Sequence, residues 1–333
     1  MPDGPAERPS ASPAIDVRGL RMSYGKRDVL RGVELQVPYG LVFCLVGPNG
    51  AGKTTTIETL EGYRKRAAGD VTVLGTDPAK GGRAFRDRIG IQLQDGGIEP
   101  NLTVSEIVDA TRSYYRHPLP RAELLELVGL TDRAKLRVRR LSAGQRRRLE
   151  LALALAGDPE LVFLDEPTTG FDPDARRSAW EAIRRLAALG KTVVLTTNVM
   201  EEAQALADRI AVIVAGRIVA QGTPLEVVGT RGAGSAVRFR LPQGGPALPP
   251  ELMRCVATVR DDVLEMRTHD LAALLPILGG WASLHGVSLA DLTIAPRSLE
   301  EAYLEITAAA AEDELVDAEA VAASAVATPE AGR

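Results

Sequence analysis

The pattern of apolar and polar positions divides the chain into stretches of different character. Residues 1–14 are rich in Pro, Ala and charge and predict a disordered leader. Ile15 to Val37 alternates apolar and polar positions, the period of half-buried strands, and predicts short β-strands. Leu41 to Val46 is an apolar run of buried-strand length, and Thr55 to Glu61 behind it reads as a helix. Gly69 to Gly75 is a strand closed by a turn; Ile89 to Gln94 is another, broken by Asp95-Gly96-Gly97. From Thr103 to Tyr115 and from Arg121 to Val128 the period turns helical and predicts a helical insertion. A helix over Arg146 to Ala156 precedes Leu161 to Leu164, four apolar residues followed by Asp165 and Glu166. Lys191 to Thr197 is a further buried strand, Glu201 to Arg209 is helical, and Ile210–Val214 and Arg217–Gln221 form a hairpin around Ala215-Gly216. Strands alternating with helices predict an α/β domain over 15–228, with a mostly parallel sheet, an antiparallel β subdomain and the helical insertion.

The character changes again at Gly229 to Gly234, a glycine-rich linker. Ser235–Leu241 and Val256–Arg267 read as strands around a Pro/Gly-rich loop, Leu271–Trp281 as a helix, Val287–Ile294 as a strand and Ser298–Ile306 as a last helix. This predicts a small α+β domain over 235–306. The stretch 307–333 is rich in Ala, Glu and Asp with few large apolar groups, and reads as a disordered acidic tail.

Composition narrows the class. The chain has 333 residues, 45% hydrophobic and 25% charged, and its net charge of −4 points away from nucleic acid. Its two cysteines, Cys44 and Cys255, have no metal-ligand spacing, and Cys44 lies in the apolar run before residue 47, as a small core residue would. His269 and His285 likewise lack ligand spacing and read as surface or packing residues. No run approaches the roughly 18 apolar residues of a membrane span, and the leader lacks the apolar core of a signal peptide. A chain located in the cytoplasm is the expectation.

Two motifs carry chemistry. Gly47-Pro48-Asn49-Gly50-Ala51-Gly52-Lys53-Thr54-Thr55 fits G-x-x-x-x-G-K-[ST], the P-loop, in the strand–loop–helix setting that motif requires. Its backbone N–H groups and the helix N-terminus suit phosphate oxygens, Lys53 suits the β- and γ-phosphates, and the Thr54 hydroxyl suits Mg²⁺. Asp165 and Glu166 end a buried strand; in a P-loop fold this places Asp165 near Mg²⁺ and Glu166 near the γ-phosphate. Tyr24 precedes the P-loop strand and is open to two readings, an adenine-stacking ring or a half-buried strand tyrosine.

With Leu141-Ser142-Ala143-Gly144-Gln145 between these motifs, the chain from about Ile15 to Leu225 resembles the ATP-binding cassette ATPases. Gly170-Phe171-Asp172 fits that family's dimer-contacting loop, Gln94 its glutamine loop and Tyr24 its adenine-stacking aromatic. The run Ser298-Leu299-Glu300-Glu301-Ala302-Tyr303-Leu304, with Arg297 before it, resembles the end of the ATPase subunit of daunorubicin/doxorubicin-type drug-resistance exporters. The resemblance implies ATP and Mg²⁺ as ligands. It implies two cassettes, identical or different, packed head to tail, each nucleotide lying between one P-loop and the partner's signature, with Ser142, Gly144, Gln145 and Asp172 on the signature side. Glu166 would orient or deprotonate the attacking water, Gln94 would join Thr54 and Asp165 at the metal, and a separately encoded membrane permease would dock near Gln94. The cassette would then sit peripherally on the inner face of the cell membrane and power export of drugs or other hydrophobic compounds.

Two positions depart from the family pattern. Ala143 stands where glycine is usual, and Asn198 stands where the family has its switch histidine. Asn198 keeps open a regulatory or weakly hydrolysing cassette paired with a more active one. A cassette of translation or DNA repair would carry two cassettes, long coiled-coil insertions or zinc motifs, which the sequence lacks. Arg137, Arg139, Arg140 and Arg146–Arg148 cluster around the signature, either to steer ATP or as a solvated basic face.

Overall fold

The computed structural model describes residues 12–25, 27–92, 97–229, 235–241, 244–260, 262–268, 270–289, 291–296 and 298–326. It comprises two units, Met1–Pro224 and Leu225–Arg333.

In the first unit the elements are β1 (Ile15–Tyr24), β2 (Arg27–Val37), β3 (Val42–Val46), α1 (Lys53–Leu60), β4 (Ala68–Val73), α2 (Arg83–Arg86), β5 (Ile89–Gln92), α3 (Val104–Arg112), α4 (Arg121–Leu127), α5 (Ala143–Ala154), β6 (Leu161–Asp165), α6 (Pro173–Ala188), β7 (Thr192–Thr197), α7 (Met200–Leu206), β8 (Arg209–Val214) and β9 (Arg217–Gly222). Six strands form one sheet in the order β5-β6-β7-β3-β8-β9, parallel from β5 to β8 and closed by the antiparallel edge strand β9. Strands β3, β6 and β7 are buried at every position, which is why β3 and the first four residues of β6 read as apolar runs and β7 as Val and Leu flanked by threonines, rather than as alternating patterns. Their order matters for chemistry. β7 lies between β6 and β3, so the loops that leave Asp165, Thr197 and Val46 emerge side by side at the carboxyl end of the sheet.

Strands β2-β1-β4 form a separate antiparallel sheet. Its inward residues, Ile15, Val17, Leu20, Leu30 and Val71, share one core with Phe43 and Leu45 of β3, Ile57 and Leu60 of α1, and Phe163 of β6. Each such side chain contributes on the order of 1.5–3 kcal/mol by leaving water, so the small sheet fixes α1 firmly against the large one. The helical insertion holds α3, α4 and α5. Its first helix starts with a capping box, Thr103 Oγ1 accepting from the Glu106 N–H at 3.2 Å and Glu106 Oε2 accepting from the Thr103 N–H at 2.7 Å.

Helix α6 has no counterpart among the sequence expectations. It is nonetheless marked by Asp172 as N-cap, Pro173 in its first turn and a buried stripe at Ala179, Ala182, Ile183 and Leu186.

The second unit begins within α8 (Pro224–Gly229) and holds β10 (Ser235–Arg240), α9 (Pro250–Met253), β11 (Val256–Arg260), β12 (Val263–Thr268), α10 (Leu271–His285), β13 (Thr293–Pro296) and α11 (Leu299–Val326). Its strands form an antiparallel sheet in the order β11-β12-β10-β13 over a core of Val237, Phe239, Leu264, Met266, Leu278 and Trp281. The structure departs from the sequence expectations at three places. Val256–Arg267 is a hairpin of two strands, turned at Asp262, which takes a left-handed φ of 63° without a glycine to advertise it. Among the described residues of Val287–Ile294, only Thr293 and Ile294 are strand, as part of β13. The last helix continues to Val326 through most of the stretch read as a disordered tail. Few apolar groups argue against a packed core, but Ala and Glu are strong helix formers and do not argue against a helix. His285, at the end of α10, is exposed; Lys26, Gln94, His269, Arg297, the residues 1–11 and 327–333 of the terminal stretches, and most of the glycine linker lie outside the described residues.

Candidate active site

The P-loop leaves β3 and enters α1. Gly52, at the junction, has a φ of 110°, and a Cβ there would sit 2.7 Å from Leu30 Cδ2, so both conformation and space demand glycine. Lys53 is 5% exposed, and its ammonium donates to the carbonyls of Gly47 (2.8 Å) and Pro48 (3.2 Å), curling the loop around itself. It lies 3.9 Å from Glu166 Oε1. Burial lowers its pKa, while Glu166 and Asp165 push the other way.

Asp165 is gripped at both oxygens. Thr54 Oγ1 donates to Oδ2 at 3.1 Å, and Thr196 Oγ1 donates to Oδ1. The next residue, Glu166, takes a left-handed φ of 47°, and its N–H donates to both the carbonyl (3.2 Å) and the hydroxyl (3.0 Å) of Thr196. Thr169 Oγ1 donates to Glu166 Oε2 at 3.2 Å. A hydroxyl and a carboxylate thus meet beside the loop, the hard oxygen donors that a small divalent cation takes when phosphates and water complete its shell. Such a site needs no cluster of three His, Cys, Asp or Glu, and none occurs among the described residues.

These groups border an open cleft of about 330 Å³, within the range of small-molecule sites. Tyr24, Arg27 and Val29 line one part of it, and Asn49, Gly50, Gly52, Lys53, Thr54, Thr55 and Glu166 line the rest. Tyr24 is 42% exposed, with the Arg64 guanidinium carbon 5.2 Å from its ring centroid. Ala51 is buried behind the loop.

The signature residues do not line that cleft. Ser142 caps α5, its hydroxyl accepting from the Gln145 N–H at 3.2 Å while Gln145 Oε1 accepts from the Ser142 N–H at 3.0 Å. Asp172 caps α6 by accepting from the Ala175 N–H at 2.8 Å. Gly144 packs so closely that a Cβ there would lie 2.9 Å from the Ala175 Cβ. Ala143 is exposed at the start of α5. In the basic cluster, Arg147 pairs with Glu150 at 2.7 Å, and Arg148 donates to the carbonyls of Val128 and Gly129. Asn198 is exposed just beyond β7, between the loops that follow β6 and β3, and does not line the cleft.

Two residues at this end of the sheet carry no motif. Thr196, described above, is one. Glu202 on α7 is the other: it is 1% exposed and accepts from Thr168 Oγ1 (2.8 Å) and Trp180 Nε1 (3.2 Å), and from the Thr197 side chain. Burial raises its pKa against those bonds. A carboxylate on the buried face of a helix, beside Ala203 and Leu206, was the available signal.

Residues 30–169 match the family model described as ABC transporter, and residues 235–298 match that of the ABC transporter domain-containing protein-like C-terminal domain. The chain is 38% identical over 315 residues to the Nod factor export ATP-binding protein I of Ralstonia nicotianae, covering 92% of this chain and 97% of the relative. It is 36% identical over 307 residues to the daunorubicin resistance ATP-binding protein DrrA3 of Streptomyces coeruleorubidus, covering 89% and 96%. A solved ATP-binding subunit of an ABC transporter superposes with a TM-score of 0.58 at 27% identity, over 64% of this chain and 91% of that one. The chain therefore belongs to the ABC transporter family, as an ATP-binding, ATP-hydrolysing cassette.

Proposed function

We propose that this cassette powers a separately encoded membrane exporter of drugs or other hydrophobic compounds. The observation that carries the catalytic part is the convergence of Lys53, Thr54 and Glu166 on one cleft, with Asp165 hydrogen-bonded to Thr54 at its edge. The P-loop amides, from Gly47 to Thr55, and Lys53 hold the phosphates. Thr54 and Asp165, with Gln94, would hold Mg²⁺, which would neutralise charge on the transferred phosphoryl group. Glu166 orients or deprotonates the attacking water. Tyr24 stacks on the adenine. Ser142, Gly144, Gln145 and Asp172 act on the nucleotide of a second cassette, identical or different. That reading draws support from their lying outside the cleft of their own chain.

The export reading rests on the names of the two relatives, each matched over nearly its whole length. No helix among the described residues is long and apolar enough to cross a membrane, so the permease supplies the path and holds the cassette on the inner face of the cell membrane, in the cytoplasm. A weakly hydrolysing cassette with a more active partner is the second reading, favoured by Asn198 alone.

The test is Glu166→Gln. ATP affinity should hold, turnover should fall about 10²–10⁴-fold, and an ATP-bound dimer should accumulate on size exclusion. ATP affinity lost together with turnover refutes the assignment.

A further inference from the structure

We propose that the Thr196 hydroxyl is a positioning group for ATP hydrolysis, setting the metal-side carboxylate and the water-side carboxylate in one geometry. The inference rests on the roles given above to Asp165 and Glu166. Thr196 stands directly opposite Asp165 in the parallel pairing of β7 with β6. It is 0% exposed, in a strand buried at every position. A hydroxyl buried that deeply is costly unless bonded. Here it is bonded twice, to two consecutive residues and in opposite senses. Its proton goes to Asp165 Oδ1, and its lone pair receives the Glu166 N–H at 3.0 Å.

The first bond fixes the rotation of the Asp165 carboxylate, and with it the aim of Oδ2 toward Thr54. The second helps hold Glu166 at a φ of 47°, a backbone state that surrounding structure must enforce in a residue with a side chain. One oxygen atom therefore ties the Asp165 carboxylate to the backbone that carries Glu166. Nothing in the P-loop or signature motifs specifies it; the register of two strands does.

The experiment compares Thr196→Val, which keeps the shape and removes the hydroxyl, with Thr196→Ser, which keeps the hydroxyl and removes a methyl. Each is assayed on the full chain, normalised to sites that bind ATP in EDTA, so that any misfolded fraction drops out. Outer partners of metal-site groups typically contribute about 10- to 100-fold. Thr196→Val should lower kcat by about that factor, leave ATP affinity in EDTA unchanged, and reduce the gain in ATP affinity that added Mg²⁺ produces, with KM for MgATP rising to match. Thr196→Ser should restore most of the turnover. Serine as damaging as valine, or more so, would mean the side chain merely packs, and would overturn the inference. So would wild-type kcat in Thr196→Val. Glu166→Gln, run alongside, separates the two failures: full turnover there refutes the role of Glu166 itself, whereas its loss with an unaffected Thr196→Val refutes only the present step.

Discussion

The Arg64 guanidinium lies over the Tyr24 ring, 5.2 Å from its centroid, and is anchored there by a two-point ion pair with Glu58. Glu58 belongs to α1, the helix that the P-loop enters. The aromatic side of the cleft is therefore tied to its phosphate side through one arginine. Arg64→Ala should weaken ATP binding about two- to fivefold, the effect of about 0.5–1 kcal/mol for a cation–π contact near solvent. Tripolyphosphate, which has no base to stack, should bind unchanged. Calorimetry with both ligands checks this; equal losses would place the effect of Arg64 on the phosphates instead.

The signature glycine has a packing role inside its own chain. A methyl at Gly144 would meet the Ala175 Cβ at 2.9 Å, so α5 and α6 would have to separate. Gly144→Ala should cost about 1–3 kcal/mol, lowering Tm by roughly 2–4 °C per kcal/mol. Ala143→Gly, at an exposed position beside it, should move Tm far less. Thermal unfolding of both variants without nucleotide decides the point, and an unchanged Tm in Gly144→Ala would remove the steric argument.

These contrasts show what a sequence can carry. The P-loop, Asp165 and Glu166 were legible because their chemistry is contiguous: a buried apolar strand delivers them, and the strand reads as an unbroken run. Thr196 and Glu202 were not, because their roles come from strand register and from helices α6 and α7 meeting behind the site. In α6 the stripe is partly alanine, a weak signal beside leucine or valine. The β11–β12 turn was hidden because Asp262, not glycine, takes its left-handed conformation. Beyond Ile306 the scarcity of large apolar groups speaks only to burial, whereas Ala and Glu, as strong helix formers, favour the helix that continues there.

Glu61, just after α1, gives a pH test. Burial first, then the charges of Glu58 and Asp165, push its pKa from 4.5 to about 8. Its folded form holds the proton more tightly than its unfolded form, so stability is highest below the unfolded value. It falls as pH rises from about 4.5 and levels off above about 8. Glu61→Gln cannot ionise and escapes that loss. Its Tm in nucleotide-free protein should exceed that of the parent at pH 8.5, with the gain shrinking toward pH 5. An equal gain at both pH values would trace it to something other than ionisation.

Asn198 follows β7, the strand between those that deliver Glu166 and the P-loop, and it is exposed there. A histidine at that place can donate to the γ-phosphate and, when protonated, bring positive charge to the transition state. Asparagine is shorter and neutral at every working pH, though its amide still donates. Loss of one well-aimed donor costs about 2.7–4 kcal/mol of barrier, and retention of a donor makes the loss here smaller. ATP should then bind normally and be hydrolysed slowly. Asn198→His, assayed with the membrane partner present, should raise steady-state turnover several-fold without changing ATP affinity. A parent rate that is already brisk, with no change or a fall in the variant, would mean that the surroundings of residue 198 have adapted to asparagine.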